Sequence, residues 1–257
     1  MFLKNRISKK YIKKELSESG FKISVKNSVS STNTLMKERG KKGAGEFSVL
    51  IAQRQTKGRG RMGRSFYSPD GSGIYMSILL KPDINTNSLL ITTHTAVCCA
   101  RVFERMTGKS VGIKWVNDIY MNERKVCGIL AESYVGEESF TVLGIGINVV
   151  KPKDGFPDDI KNRAGAVFES SSPYLREKLI CELLREFIKM YKEKNNKEYL
   201  KEYKERSIIT GKEILLLKSE TEEKATALYI NDDYSLTVEK ENGEICTVNS
   251  GDVSIKI

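Results

Sequence analysis

The chain contains a single histidine, His94, among 257 residues. That scarcity excludes a zinc site built on two histidines of one chain, and a Ser-His-Asp triad would have to run through His94. His94 lies in LLITTHTAVCCARVF, a stretch with helical character, so the expectation is a satisfied helix histidine. The five cysteines, Cys98, Cys99, Cys127, Cys181 and Cys246, form an odd set with no CxxC pair. Such a set supports neither a disulfide framework nor a metal site, and points to reduced, mostly buried thiols. No apolar run is long enough to cross a bilayer. The basic opening MFLKNRISKKYIKKELSESG also lacks the apolar stretch of a secretory leader. A cytoplasmic protein without membrane association is therefore expected. There are no internal repeats or low-complexity tracts, and no GxxxxGK[ST] phosphate loop is present.

What remains is a chain with the means to fold. Hydrophobic residues make up 39% and charged residues 30%, which suits a globular protein of one large domain, or one large and one small. Lysine and arginine outnumber the acids 43 to 33, a formal charge of +10. That balance suits nucleic acid, anionic nucleotides or an acidic protein, without choosing among them. Because lysine is spread along the whole chain, much of the charge reads as solvated surface.

Periodicity predicts a short basic helix over 8–19, a strand in FKISVKNSVS, and a helix from STNTLMKERG opened by good N-cap residues. Residues 47–56 and IYMSILLKP read as strands flanking a loop rich in glycine and arginine. A long helix is predicted over 84–107, closed at Gly108. Residues 111–135 read as a meander turning at Asn117-Asp118 and Asn122-Glu123, and FTVLGIGINVV as a further strand. Residues 174–206 are amphipathic and helical. Beyond Gly211 the texture changes to short, closely spaced strands, so residues 1–209 are expected to form an α+β unit with a mixed sheet and residues 210–257 a small β-barrel.

Four segments carry chemistry. In Gly58-Arg59-Gly60-Arg61-Met62-Gly63-Arg64, glycines expose backbone N–H groups and arginines add fixed positive charge, the makings of a phosphate or carboxylate site. The bland alternative is an RG-type nucleic-acid loop, but this loop is held between two apolar strands, and Phe66 and Tyr67 beside it offer faces for stacking. In Lys114-Trp115-Val116-Asn117-Asp118 and the following Lys125 to Glu132, two lysines, an amide and a carboxylate gather around tight turns, although a plain hairpin would use Asn and Asp there too. Asp118 is a candidate for orienting a nucleophile or Mg²⁺. Gly144-Ile-Gly146-Ile-Asn148 places glycines inside a strand, a sign of close approach by a ligand or another backbone. Ser31-Thr32-Asn33 reads first as a helix cap, and equally as hydrogen-bonding groups for a small polar ligand.

Taken in order, the STN start, Q-x-x-GRGRxGR, KW-x-ND with RK-x-x-GIL-x-E, and G-x-GIN resemble the biotin–protein ligase family, closely over about residues 28–150. The resemblance implies an α+β catalytic domain of the biotin/lipoate ligase type followed by an SH3-like barrel. It implies that biotin and ATP with Mg²⁺ form biotinoyl-adenylate and pyrophosphate, and that biotin then passes to a lysine of a biotin carboxyl carrier domain. By resemblance, Ser31, Thr32, Asn33, Gln55, Gly58, Arg59, Gly60, Arg61, Lys125, Gly128 and Gly144 would surround biotin. Arg61, Arg64, Phe66, Asn117 and Asn148 would lie near the nucleotide. Arg59, Arg61, Lys114, Lys125 and Asp118 would carry the catalysis, with no protein ligand assigned to the metal.

Two departures accompany the resemblance. Phe66 stands where the family often has Trp, and Val116 where it often has Pro. Some members add an N-terminal winged helix, but only about 27 residues precede the core here, too few for an independent domain, so no specific DNA binding is expected. A homodimer is compatible with exposed strand edges. The sister lipoate–protein ligases usually carry RR-x-x-GGG-x-x-x-H, which is absent. A nucleic-acid-binding reading leaves KWVND and GIGIN without a role, and a catalytically inactive biotin-binding scaffold would have no need of Arg59, Arg61, Lys125 and Asp118.

Overall fold

The computed structural model describes residues 6–81, 88–136, 138–193, 197–218, 221–249 and 254–256. Its frame is a seven-stranded mixed sheet. In chain order the strands are β1 (Lys22–Val29), β2 (Ser48–Gln55), β3 (Gly73–Leu80), β4 (Gly112–Lys114), β5 (Asp118–Met121), β6 (Arg124–Tyr134) and β7 (Phe140–Asn148). Across the sheet they run β1-β2-β3-β7-β6-β5-β4, with β1 and β2 parallel and the remaining pairs antiparallel. The central β3, GIYMSILL, is buried along its whole length, as expected of a strand covered on both faces.

Two helical layers provide that cover. Helix α1 (Lys9–Glu15) packs on α4 (Leu175–Lys192), and α3 (Ser88–Thr107) packs on α4 and α5 (Lys197–Glu205). Side chains alternate across a strand, so Val49, Ile51, Ile74, Met76, Ile78, Leu143, Ile145 and Ile147 join one large apolar cluster with α3 and α4. The intervening positions turn to the opposite face, where Leu50, Leu79 and Val142 pack with Met36 of α2 (Thr32–Lys41) in a smaller cluster.

A second, five-stranded antiparallel sheet follows, from β8 (Glu213–Lys218), β9 (Thr221–Ile230), β10 (Leu236–Lys240), β11 (Ile245–Val248) and β12 (Ser254–Lys256), in the order β11-β10-β9-β8-β12. It is tied to the turn after β4 by Trp115 Nε1, which donates to Tyr234 O at 2.8 Å, and to α3 by His94 Nε2, 2.6 Å from the Tyr234 hydroxyl. The large apolar cluster continues through Ile214, Leu216, Ala227 and Leu236, so both sheets share one core.

Three expectations are refined. The predicted start of the long helix, residues 84–87, lies outside the described residues; the helix is described from Ser88 and ends before Gly108, whose φ of 69° suits glycine. The helical stretch 174–206 resolves into α4 and α5. The first meander turn falls on residues 115–117, and Asp118 already pairs with Lys114 as a strand residue, because the short β4–β5 ladder extends to that pair. The Trp115–Val116 peptide is cis. The described cysteines are all free thiols, four of them buried. No helix among the described residues is long and apolar enough to cross a membrane.

Candidate functional site

The site grows from the sheet face that α2 leaves uncovered. On β7, Leu143, Ile145 and Ile147 point into the large core, so the two-residue period turns Gly144 and Gly146 to the other face. Gly128 of β6 pairs with Gly146, and Gly144 pairs with Leu130. Three glycines therefore strip side chains from the floor of this face. The Phe66 ring lies on it: a β-carbon on Gly146 would meet Phe66 Cε1 at 2.7 Å, and one on Gly128 would meet the ring at 3.4 Å. A β-carbon on Gly144 would fall on the Asn33 side chain.

The arginine loop folds back on itself over this floor. Phe66 N donates to Gly58 O at 3.0 Å and Gly60 N to Arg64 O at 2.7 Å, with a 3₁₀ turn at Arg61–Gly63. The tip needs a left-handed backbone at Met62 (φ 51°) and Gly63 (φ 73°), which glycine adopts freely. Gly58 is required sterically, since a β-carbon there would strike the Phe66 carbonyl.

Around the loop the polar groups interlock. Ser31 caps α2, its hydroxyl accepting from Thr34 N. Gln55 Oε1 accepts from Thr32 N (2.7 Å) and Thr32 Oγ1 (3.1 Å), while its Nε2 donates to Ser68 Oγ (3.0 Å). Asn33 Nδ2 donates to Leu130 O and to Glu132 Oε2, and its Oδ1 accepts from Ser77 Oγ at 2.6 Å. Arg59 pairs with Glu132 at 3.0 Å, and Arg61 donates to Asn117 Oδ1 at 3.3 Å. Asn117 in turn donates from Nδ2 to Ile129 O, which locks the turn after β4 onto β6.

Positive charge converges on one acid. Lys125 Nζ is 2.6 Å from Asp118 Oδ1, and Asp118 pairs in register with Lys114. Burial pulls the Lys114 ammonium below its usual value, opposed by Asp118 and reinforced by Lys125 and Arg64. Burial likewise lowers Arg61, with Asp118 opposing. Arg61 remains charged under any physiological condition, because free arginine titrates so high. Lys125 is held through its backbone: its N donates to Arg163 O and its O accepts from Gly165 N, and Asn148 Nδ2 anchors that segment through Gly165 O at 3.0 Å.

The sequence-predicted residues thus gather at one place. The side chains of Asn33 and Asn148 hydrogen-bond to neighbouring protein groups. Gly146, Ser68 and Glu132 also belong to this site, though the sequence assigned them no individual role in it. The glycine and the glutamate stand inside segments already singled out, whereas nothing in the sequence marks Ser68 as the partner of Gln55. His94 lies away from this site, buried against Tyr199 and Tyr234, and burial lowers its pKa to about 4. Among the described residues no group of three or more His, Cys, Asp or Glu side chains is arranged to hold a metal ion.

Comparison with known proteins adds independent evidence. Residues 25–148 match the model of the biotin/lipoate A/B protein ligase family. The chain is 37% identical over 169 residues to the bifunctional ligase/repressor BirA of Bacillus spizizenii, covering 64% of this chain and 52% of that protein. It is 34% identical over 194 residues to BirA of Bacillus subtilis, covering 70% and 60%. The chain therefore spans between about half and three fifths of these curated relatives. Its fold matches a biotin protein ligase from Aquifex aeolicus in complex with biotin and ATP, with a TM-score of 0.77, 28% identity, and coverage of 91% of this chain and 98% of that one.

Proposed function

Residues 25–148 of this chain are a domain of the biotin/lipoate A/B protein ligase family, and on that premise we propose that the chain adenylates biotin with ATP and transfers the biotinoyl group to a lysine of an acceptor protein. The observation that carries this reading is the convergence of Arg61 and Arg64 of the loop with Lys114 and Lys125 about Asp118, beside a floor cleared by glycines.

The chemistry asks for such a cluster. In the first step a biotin carboxylate oxygen bonds to the ATP α-phosphorus while the bond to the departing pyrophosphate breaks. Two anions must approach, so Arg59, Arg61, Lys114 and Lys125 reduce their repulsion and stabilise charge on the pentavalent phosphorus. Mg²⁺ accompanies ATP as part of the substrate, carried chiefly by phosphate oxygens and water. In the second step an acceptor amine attacks the acyl carbon, an amide forms, AMP leaves and one proton is lost. Asp118 orients that amine.

Ser31, Thr32, Gln55 and Gly128 bound the biotin pocket, together with the glycines of the loop. Asn33 and Gly144 shape its wall, since the Asn33 amide fills the space above Gly144. Arg64, Phe66 and Asn117 face the nucleotide, and Asn148 holds the segment behind Lys125. Residues 1–209 form the catalytic unit and residues 210–257 an accessory β unit. The acceptor is an acidic biotin carboxyl carrier domain, attracted by the net charge of +10.

The deciding experiment is pyrophosphate release from ATP and Mg²⁺, with biotin and with lipoate separately. Release with biotin alone is the expected result. Release with lipoate alone would assign the chain to the other branch of the family, and release with neither from folded protein would overturn the adenylation reading.

A further inference from the structure

Glu132 sits on β6 four residues beyond Gly128, and the two-residue period brings it to the same sheet face. Its two carboxylate oxygens have separate partners. Oε2 accepts from Asn33 Nδ2 at 2.9 Å, and Oε1 lies 3.0 Å from Arg59 Nη2. Asn33 is itself immobile: it is buried, it bonds Leu130 O and Ser77 Oγ, and it packs into the space left by Gly144. The carboxylate is thus aimed by the body of the fold at a residue of the loop. Arg59 is half exposed, and Glu132 is its one side-chain partner among the described residues. A guanidinium has five N–H donors in a rigid fork, so the ion pair with Glu132 tethers Arg59 and leaves donors free.

We propose that Glu132 is the positioning residue for Arg59: it docks the GRGRMGR loop on β6 before substrate arrives and orients the guanidinium so that its remaining donors meet the substrate anion. The kinetic consequence rests on the adenylation reading above; the docking consequence does not. Glu132 touches no substrate and acts only through Arg59. The chain of contacts Ser77, Asn33, Glu132, Arg59 thereby links β3 and the start of α2 to the loop.

Two measurements test this. In the ligand-free chain, Glu132→Ala should speed tryptic cleavage after Arg61 and Arg64 by about fivefold, the scale of a partly exposed ion pair, with little change in Tm. Unchanged cleavage would overturn the docking role. In biotin-dependent pyrophosphate release, Glu132→Ala should lower kcat/KM by a similar factor, with kcat falling as a displaced Arg59 requires, yet add nothing in an Arg59→Ala background. Additive effects of the two substitutions would overturn action through Arg59. Should Glu132→Ala fail to fold, Glu132→Gln carries the same pair of tests. Absence of biotin turnover in the unsubstituted chain would instead sink the proposed function and leave the tryptic result to decide docking.

Discussion

Lys125 Nζ lies 2.6 Å from Asp118 Oδ1, although the two residues are on different strands and a bulge in the β5–β6 ladder separates them. The pair is partly exposed, so it adds little to stability. Its value is in placement, because the carboxylate holds an ammonium beside the glycine floor, within reach of Gly128.

Replacing that ammonium tests the placement directly. Lys125→Ala should cut biotin-dependent pyrophosphate release by about 100-fold, the scale seen when one preorganised donor to a charged transition state is removed. Normal release would put Lys125 outside the site.

Arg61 is anchored on Asn117 and buried enough for its charge to be felt strongly. Arg61→Gly removes that anchor and loosens the loop tip. Free adenylate, followed by chromatography, should escape about tenfold faster, as for the loss of a charged hydrogen bond. Unaltered retention would exclude a role for Arg61 in holding the intermediate.

The glycines of β6 and β7 should not tolerate change equally. A methyl group at position 144 strikes the buried Asn33 amide, whereas one at position 128 meets the flexible Lys125 stem at 3.3 Å. Gly144→Ala should cost about 1–3 kcal/mol by overpacking, measured by urea unfolding, and Gly128→Ala clearly less. Equal costs would show that Asn33 moves freely.

His94 should make stability depend on pH. Burial lowers its pKa from 6.5 to about 4. Below pH 6.5 the unfolded chain takes up a proton that the folded chain refuses. Stability present above pH 6.5 is therefore lost as pH falls toward 4, by about 3 kcal/mol in all. Urea unfolding at pH 7 and pH 4.5 should reveal it, and His94→Gln should flatten that part of the profile. An equally steep profile in the variant would assign the slope to other groups.

Much of this architecture is legible in the residues. The STN cap, the alternation in β1 to β3 and the glycine-arginine loop announce themselves locally, because N-caps, two-residue periods and glycine turns are local physics. Where the first meander turn ends was not legible, since pairing of Asp118 with Lys114 decides it. The neighbour of Gly144 was not legible for a similar reason: a glycine in a strand signals a close approach, but not that the Asn33 side chain makes it.

By itself the sequence determined the element types, the mixed α+β character and the identity of the chemical groups, since composition and periodicity act over a few residues. Only the tertiary structure decided which groups meet. Gln55 finds Ser68, Arg59 finds Glu132 and Trp115 finds Tyr234 across 13, 73 and 119 positions. Such pairings depend on strand order, register and the packing of two sheets on one core, and no short stretch of residues encodes them.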